Sequence, residues 1–152
     1  MSRIRIASLA LSASALVGLA VFEGYSPTTY LDIVGIPTIG FGSTGKDVKA
    51  GQKIDPVAAL QRKLSDIQKF EGALKTCVKV PLHQHEYDAY LQLAYNIGPG
   101  NFCSSTLVKR LNAGDYKGAC QEILRWNRAG GKVIRGLSQR REKEYRLCTG
   151  TV

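Results

Sequence analysis

Two carboxylates and a hydroxyl stand close together early in the chain: Glu23, Asp32 nine residues on, and Thr38 six further. Hydrolysis of an acetal such as a glycosidic bond uses this chemistry. One carboxylic acid protonates the leaving oxygen, and a second polar group, normally a carboxylate, readies the nucleophile on the other face of the sugar. Glu23 directly follows Val21 and Phe22, whose packing would desolvate its carboxyl and favour the protonated form an acid requires. Asp32 falls where a strand should end, near turn amides that would keep it ionised. With twelve acidic residues in the chain, spacing alone leaves ordinary surface carboxylates as the simpler account.

The elements that must position these groups begin with residues 6–22, an uncharged stretch preceded by Arg3 and Arg5. As a helix it would be about 25 Å long against a hydrocarbon core of roughly 30 Å. Many alanines and serines dilute its Leu, Val and Phe residues, so its residence in a membrane would be marginal. Such a segment can be a cleaved export signal, a retained anchor, or the first core helix of a soluble domain. Small-x-small sites at Ala13-Ser14-Ala15 and Gly18-Leu19-Ala20 would permit cleavage. Cutting after the second would leave Glu23 as the third residue of the mature chain, without the helix that should hold it. An uncleaved segment that first exports the chain and then joins the fold reconciles the positive flank with the abutting glutamate.

Residues 24–44, rich in Gly, Thr, Tyr, Ile and Pro, predict a β-hairpin with strands near 28–32 and 38–41. Asp55-Pro56 is an N-cap followed by proline at the first helical position. Val57, Leu60, Leu64, Ile67 and Leu74 then repeat at helical spacing, predicting a helix over 56–74. A central helix should run from beyond Pro81 to a stop at Gly98-Pro99-Gly100. Shorter helices are expected over 105–111, 115–126 and 138–148, with a loop at Gly130-Gly131. The expected fold class is α+β: an N-terminal helix, a small β lobe at about 24–45 and a larger helical lobe at about 55–152, with a cleft between the lobes.

A chain of 152 residues supports one real core, and 44% hydrophobic with 22% charged residues excludes disorder. The net charge of +9 implies attraction to a polyanion, which could be a nucleic acid, an anionic membrane or an acidic wall polymer. No nucleic-acid motif accompanies the basic C-terminal run, so no nucleic-acid partner is expected. The four cysteines, Cys77, Cys103, Cys120 and Cys148, lack the spacing of a zinc site, and neither metal nor cofactor is expected. Their even number suits two disulfides in an oxidising compartment, with three connectivities open.

The full pattern is more specific than the spacing. Glu23-Gly24, Asp32 and Thr38, the last within Gly35-Ile36-Pro37-Thr38-Ile39-Gly40-Phe41-Gly42, resemble the phage lysozymes of glycoside hydrolase family 24. Similarity continues through Ala94-Tyr95-Asn96-Ile97-Gly98, Gly100-Asn101-Phe102, Ser105-Thr106-Leu107, Gly118-Ala119-Cys120, Arg125-Trp126, Ala129-Gly130-Gly131, and Gly136-Leu137 followed by Arg140-Arg141-Glu142. The resemblance implies a muramidase that cuts peptidoglycan at the β-1,4 bond between N-acetylmuramic acid and N-acetylglucosamine, with host-cell lysis as the outcome. Glu23 would be the acid, and Asp32 and Thr38 would hold and activate an attacking water, inverting the anomeric carbon. Asn96, Ser105 and Thr106 would be candidate sugar contacts, although capping explains Ser105 equally well. Ser43 departs from the pattern, since many relatives carry histidine there, and altered cleft contacts are the expected result.

The start of the chain also resembles the signal-anchor-release subgroup, whose members are exported uncleaved, held inactive at the inner membrane and released to fold in the periplasm. Residues 6–22 would then associate transiently with that membrane and later become the N-terminal helix of a monomer. Burial of about ten of their apolar side chains, at roughly 1.5–3 kcal/mol for each fully buried large one, would offset much of the cost of leaving the bilayer. No cysteine precedes Cys77, so a disulfide switch through this segment is excluded, and structural bridges Cys77–Cys103 and Cys120–Cys148 are expected. Three rivals remain: a lytic transglycosylase, a cationic membrane-disrupting protein and a non-catalytic wall-binding module. Trp126 and the pair His83 and His85 are expected to be core and solvated, respectively, rather than catalytic.

Overall fold

The computed structural model describes residues 1–151. These form two compact units: Ala13–Lys69, and Met1–Ser12 together with the chain from Phe70 onward. In the first unit, helix α1 spans Ala13–Glu23 and is followed by strands β1 (Ser26–Leu31), β2 (Pro37–Gly40) and β3 (Ser43–Thr44). The sheet is antiparallel in the order β1-β2-β3. The hairpin expected from sequence therefore gains a third strand. Gly40 and Gly42 take φ of +64° and +74°, values open to glycine, and let the chain fold back so that Thr38 pairs with Thr44 and Ile39 with Ser43.

Helix α2 spans Pro56–Cys77. Asp55 caps it as expected, its Oδ1 accepting from the Val57 and Ala58 amides at 2.9 and 3.0 Å. The buried stripe of α2 keeps Ile67 and Leu74 of the expected one and differs in the rest. Ala59, Lys63, Ile67, Glu71 and Leu74 face inward, while Val57 is 68% exposed. A Cβ on Gly40 would stand 2.9 Å from the Ala59 Cβ, so the sheet approaches α2 more closely than a side chain at Gly40 would allow. Beside this contact, Arg62 donates to Asp47 at 2.7 and 3.0 Å, and these bonds hold the Asp47 carboxyl below the usual range.

The second unit is helical, built around α3 (Gln84–Ile97), which carries Tyr87, Tyr90, Leu91 and Leu93 with no exposed surface. The unit continues through α4 (Pro99–Cys103), α5 (Thr106–Asn112), α6 (Tyr116–Glu122), the ribbon β4 (Arg128–Ala129) and β5 (Lys132–Val133), and α7 (Arg135–Thr149). Helix α4 stands where a loop is expected, because Gly98-Pro99-Gly100 reads as a stop. Gly98 does end α3, but Pro99 then takes the first position of a new helix, where its missing amide costs nothing. The helix expected over 115–126 ends at Glu122 and tightens into a 3₁₀ turn at Ile123–Arg125, closed by Trp126 N donating to Ile123 O. Gly130 and Gly131 turn a β-ribbon rather than a free loop, and α7 starts at Arg135 with Gly136 in its first turn.

Residues 6–22 do not form one helix. Ile6–Ser8 is a 3₁₀ turn and the α-helix starts at Ala13. Of the expected ten buried apolar side chains in this stretch, Leu9, Ala15, Leu19 and Ala20 are buried, whereas Val17 and Val21 are 55% and 75% exposed. Apolar residues surround α1 on all sides, and a helix at the surface can turn only one side inward.

Polar contacts hold Met1–Ser12 instead. The Arg3 guanidinium makes a bidentate pair with Glu86 at 2.8–3.2 Å and stacks 3.5 Å from the centre of the Tyr116 ring. Ile4 and Leu82 exchange both backbone hydrogen bonds, and Ser12 donates its amide and hydroxyl to Asp88 at 3.0 and 2.6 Å. His83 and His85 are both half-buried, their rings stacked 5.2 Å apart and His85 Nδ1 3.1 Å from Cys148 O, so the expectation of solvated histidines holds only in part.

Cys77 pairs with Cys103 and Cys120 with Cys148, with Cα–Cα separations of 5.6 and 5.7 Å. The second bridge joins α6 to α7. On α7, Arg141 and Glu144 are both fully buried and lie 2.8 Å apart, and burial pushes the Glu144 carboxyl up, to about 7, against the pull of Arg141 and Arg140.

Candidate functional site

Glu23 is the last residue of α1 and its side chain is 26% exposed. Val21, expected to desolvate it, points into solvent instead. The carboxylate is flanked by Gly42 and Lys63: Oε2 stands 2.7 Å from where a Gly42 Cβ would be, and Oε1 is 3.9 Å from the Lys63 ammonium. Gly42 thus serves two local demands, a positive φ for the turn and an open wall for the carboxylate. Gly42→Ala should push the Glu23 carboxyl off its position and lower turnover by about 10²-fold with the fold retained. Kinetics alongside circular dichroism check this, and an alanine variant with wild-type turnover would refute the close approach.

Asp32 follows β1 directly. Its Oδ1 accepts from the Val34 and Ile36 amides at 2.9 Å each, while its backbone accepts from Gly35 N and donates to Ile36 O. The turn amides anticipated from sequence are therefore aimed at this carboxylate, leaving Oδ2 outside these two bonds. Thr38 lies on β2, 3% exposed, and its hydroxyl donates to Ile36 O at 2.9 Å. One short turn, closed by Gly35 at φ +81°, thus organises both Asp32 and Thr38. Ser43, where many relatives have histidine, is 1% exposed on β3, and its hydroxyl has no hydrogen-bond partner among the described residues.

Glu23, Asp32 and Thr38 all belong to the unit Ala13–Lys69. Asn96, Ser105 and Thr106 belong to the other. Ser105 is committed to its own helix: its oxygen accepts from Val108 N and its hydroxyl donates to Phe102 O at 2.6 Å. Asn96 and Thr106 are exposed and Trp126 is half-buried.

Sequence reasoning missed Lys63 and gave Gly42, which closes the motif, no role of its own. A signal existed for Lys63, because it sits four residues from both Ala59 and Ile67 and so interrupts an apolar row at helical spacing.

The phage lysozyme family model matches residues 20–144, which include all three candidate catalytic residues. A SAR-endolysin of Enterobacteria phage P21 is 40% identical over 129 residues, covering 83% of this chain and 76% of that protein. A SAR-endolysin of Pseudomonas phage phiKMV is 40% identical over 141 residues, covering 90% and 86%. Among solved structures, an endolysin from Escherichia coli O157:H7 phage FAHEc1 superposes with a TM-score of 0.88 at 38% identity, covering 95% of this chain and 96% of that one. With the site motif inside the matched region and the fold shared across nearly the whole chain, this protein belongs to the phage lysozyme family.

Proposed function

We propose that the chain is an endolysin that hydrolyses the β-1,4 bond between N-acetylmuramic acid and N-acetylglucosamine in peptidoglycan, with inversion. The observation that carries this reading is the turn that presents Asp32 and Thr38 together, in the same unit as a Glu23 held at a helix end. Glu23 donates its proton to the glycosidic oxygen as the C–O bond breaks. Asp32, its Oδ1 already bound to two amides, takes a proton from the water that attacks the anomeric carbon, and Thr38 helps to hold that water. Solvent exposure makes Asn96 and Thr106 the better candidates for sugar contacts, with Ser105 a weaker one. Mass spectrometry of the ends released from purified sacculi tests the reading. Reducing muramic acid ends support hydrolysis, whereas anhydro ends would make the protein a transglycosylase.

The same reading extends to delivery. Residues 6–22 serve as an uncleaved export and membrane-tethering segment, and the released monomer acts in the periplasm as a single lysozyme domain. The relatives' designation as SAR-endolysins and the cationic flank of Arg3 and Arg5 support this. No helix among the described residues is long and apolar enough to cross a membrane. The intact mass of protein recovered from the periplasm should include residues 1–22. A product beginning at Leu16 or Val21, after either small-x-small site, would overturn the uncleaved route.

A further inference from the structure

Lys63 is fully buried, with Ala59 and Ile67 one turn away on either side along a helix face that continues to Glu71 and Leu74, and its ammonium lies 3.9 Å from Glu23 Oε1. Burying an ammonium is unfavourable unless it is paired, and an apolar side chain would serve packing at this position better. A charge kept there against that cost points to a task at Glu23. Gly42 bounds the same carboxylate on its other oxygen, so the carboxyl is confined between a wall without a side chain and a fixed cation.

We propose that Lys63 is a positioning residue for the acid step, acting through Glu23 without touching the substrate. This rests on the hydrolase reading above. As the proton passes from Glu23 to the glycosidic oxygen and the C–O bond breaks, negative charge grows on the Glu23 carboxylate. A cation already fixed 3.9 Å away stabilises that charge without rearranging, so it lowers the energy of the transition state more than that of the ground state. The ammonium also restrains the carboxyl rotamer against the Gly42 wall.

The test is steady-state kinetics of full-length Lys63→Met and Lys63→Cys on soluble glycan strands, with thermal melts in parallel. Methionine fills similar volume without the charge, so kcat should fall about tenfold while KM stays within about twofold. The melting temperature should hold or rise, because a buried charge has been removed. Aminoethylation of Lys63→Cys in denaturant, followed by refolding, rebuilds an ammonium of lysine length, and the four native cysteines are protected as disulfides. This variant should regain most of the lost kcat.

Unchanged kcat in Lys63→Met overturns the proposal, as does a loss that the restored ammonium does not reverse. Failure of Lys63→Met to fold also overturns it, since the lysine would then be structural. The wild type measured beside the variants separates the two readings. If it does not turn over, the hydrolase reading falls and takes this inference with it, whereas an active wild type with a fully active Lys63→Met removes only this inference.

Discussion

Glu23→Gln should lower the rate of reducing-end release by about 10²–10⁴-fold, the range that a lost general acid accounts for, while leaving the fold and wall binding intact. Glutamine keeps the shape of the side chain and its place against Gly42 but has no acidic proton to give the leaving oxygen. The amide itself can be solvated, since the side chain is 26% exposed, but it leaves the buried Lys63 ammonium beside a neutral group, so the melting temperature should fall while the fold is retained. Affinity for sacculi should persist, because the net charge of +9 that attracts the chain to an anionic polymer rises only to +10. Release assays, sedimentation with sacculi and melts on one preparation check all three. If Glu23→Gln still kills cells at the wild-type rate, the lytic agent is the cationic, partly apolar N-terminal segment and not an active site. If the wild type itself binds sacculi but releases no ends, the protein is a wall-binding module.

Loss of a disulfide should have the largest effect on stability. The bridges close sequence separations of 26 and 28 residues. Constraining an unfolded chain by loops of that length corresponds to about 3.5 kcal/mol each. A chain of this size loses roughly 2–4 °C of melting temperature per kcal/mol, so Cys120→Ser with Cys148→Ser should melt about 7–14 °C lower. The cost should exceed the entropic figure at this bridge, because Cys120 and Cys148 are 3% and 1% exposed and the serine hydroxyls would need partners in an apolar setting. Calorimetry of this double variant and of Cys77→Ser with Cys103→Ser decides the matter. Melting within about 2 °C of wild type would mean that the bridges do not constrain the unfolded chain. Under mild reductant the Cys77–Cys103 bridge should open first, since both of its cysteines are half-buried.

Much of this protein is legible in the sequence because it is local. Asp55-Pro56 starts α2 through bonds spanning two and three residues, and Gly98 ends α3 within one turn. The turn after β1 places amides on Asp32 through contacts two and four residues away. The grouping of Glu23, Asp32 and Thr38 is likewise readable, as a motif spanning only sixteen residues. The N-terminal stretch misleads because its apolar residues surround the helix on every side, so composition says that it is apolar without saying which side packs. The residues before that helix are held by Arg3 on Glu86 and Ser12 on Asp88, pairs separated by 83 and 76 residues that no local pattern announces.

Helix α2 shows the same division most clearly. The expected stripe runs through Val57, Leu60, Leu64, Ile67 and Leu74, and a second through Ala59, Lys63 and Ile67 competes with it. Ile67 and Leu74 are buried as expected, whereas Val57 is exposed, Leu60 and Leu64 are half-buried, and Ala59 and Lys63 are buried. Ala59 faces the sheet so closely that a Cβ on Gly40 would stand 2.9 Å from its own, and this side of the helix is the one that packs. The sequence by itself therefore determined the longer helices, the caps that start or stop them and the residues fit for chemistry, since all of these depend on neighbours a few residues apart. Tertiary structure alone decided that a lysine would face inward and stand beside Glu23, because the rotation of a helix is fixed by the shape of what it packs against.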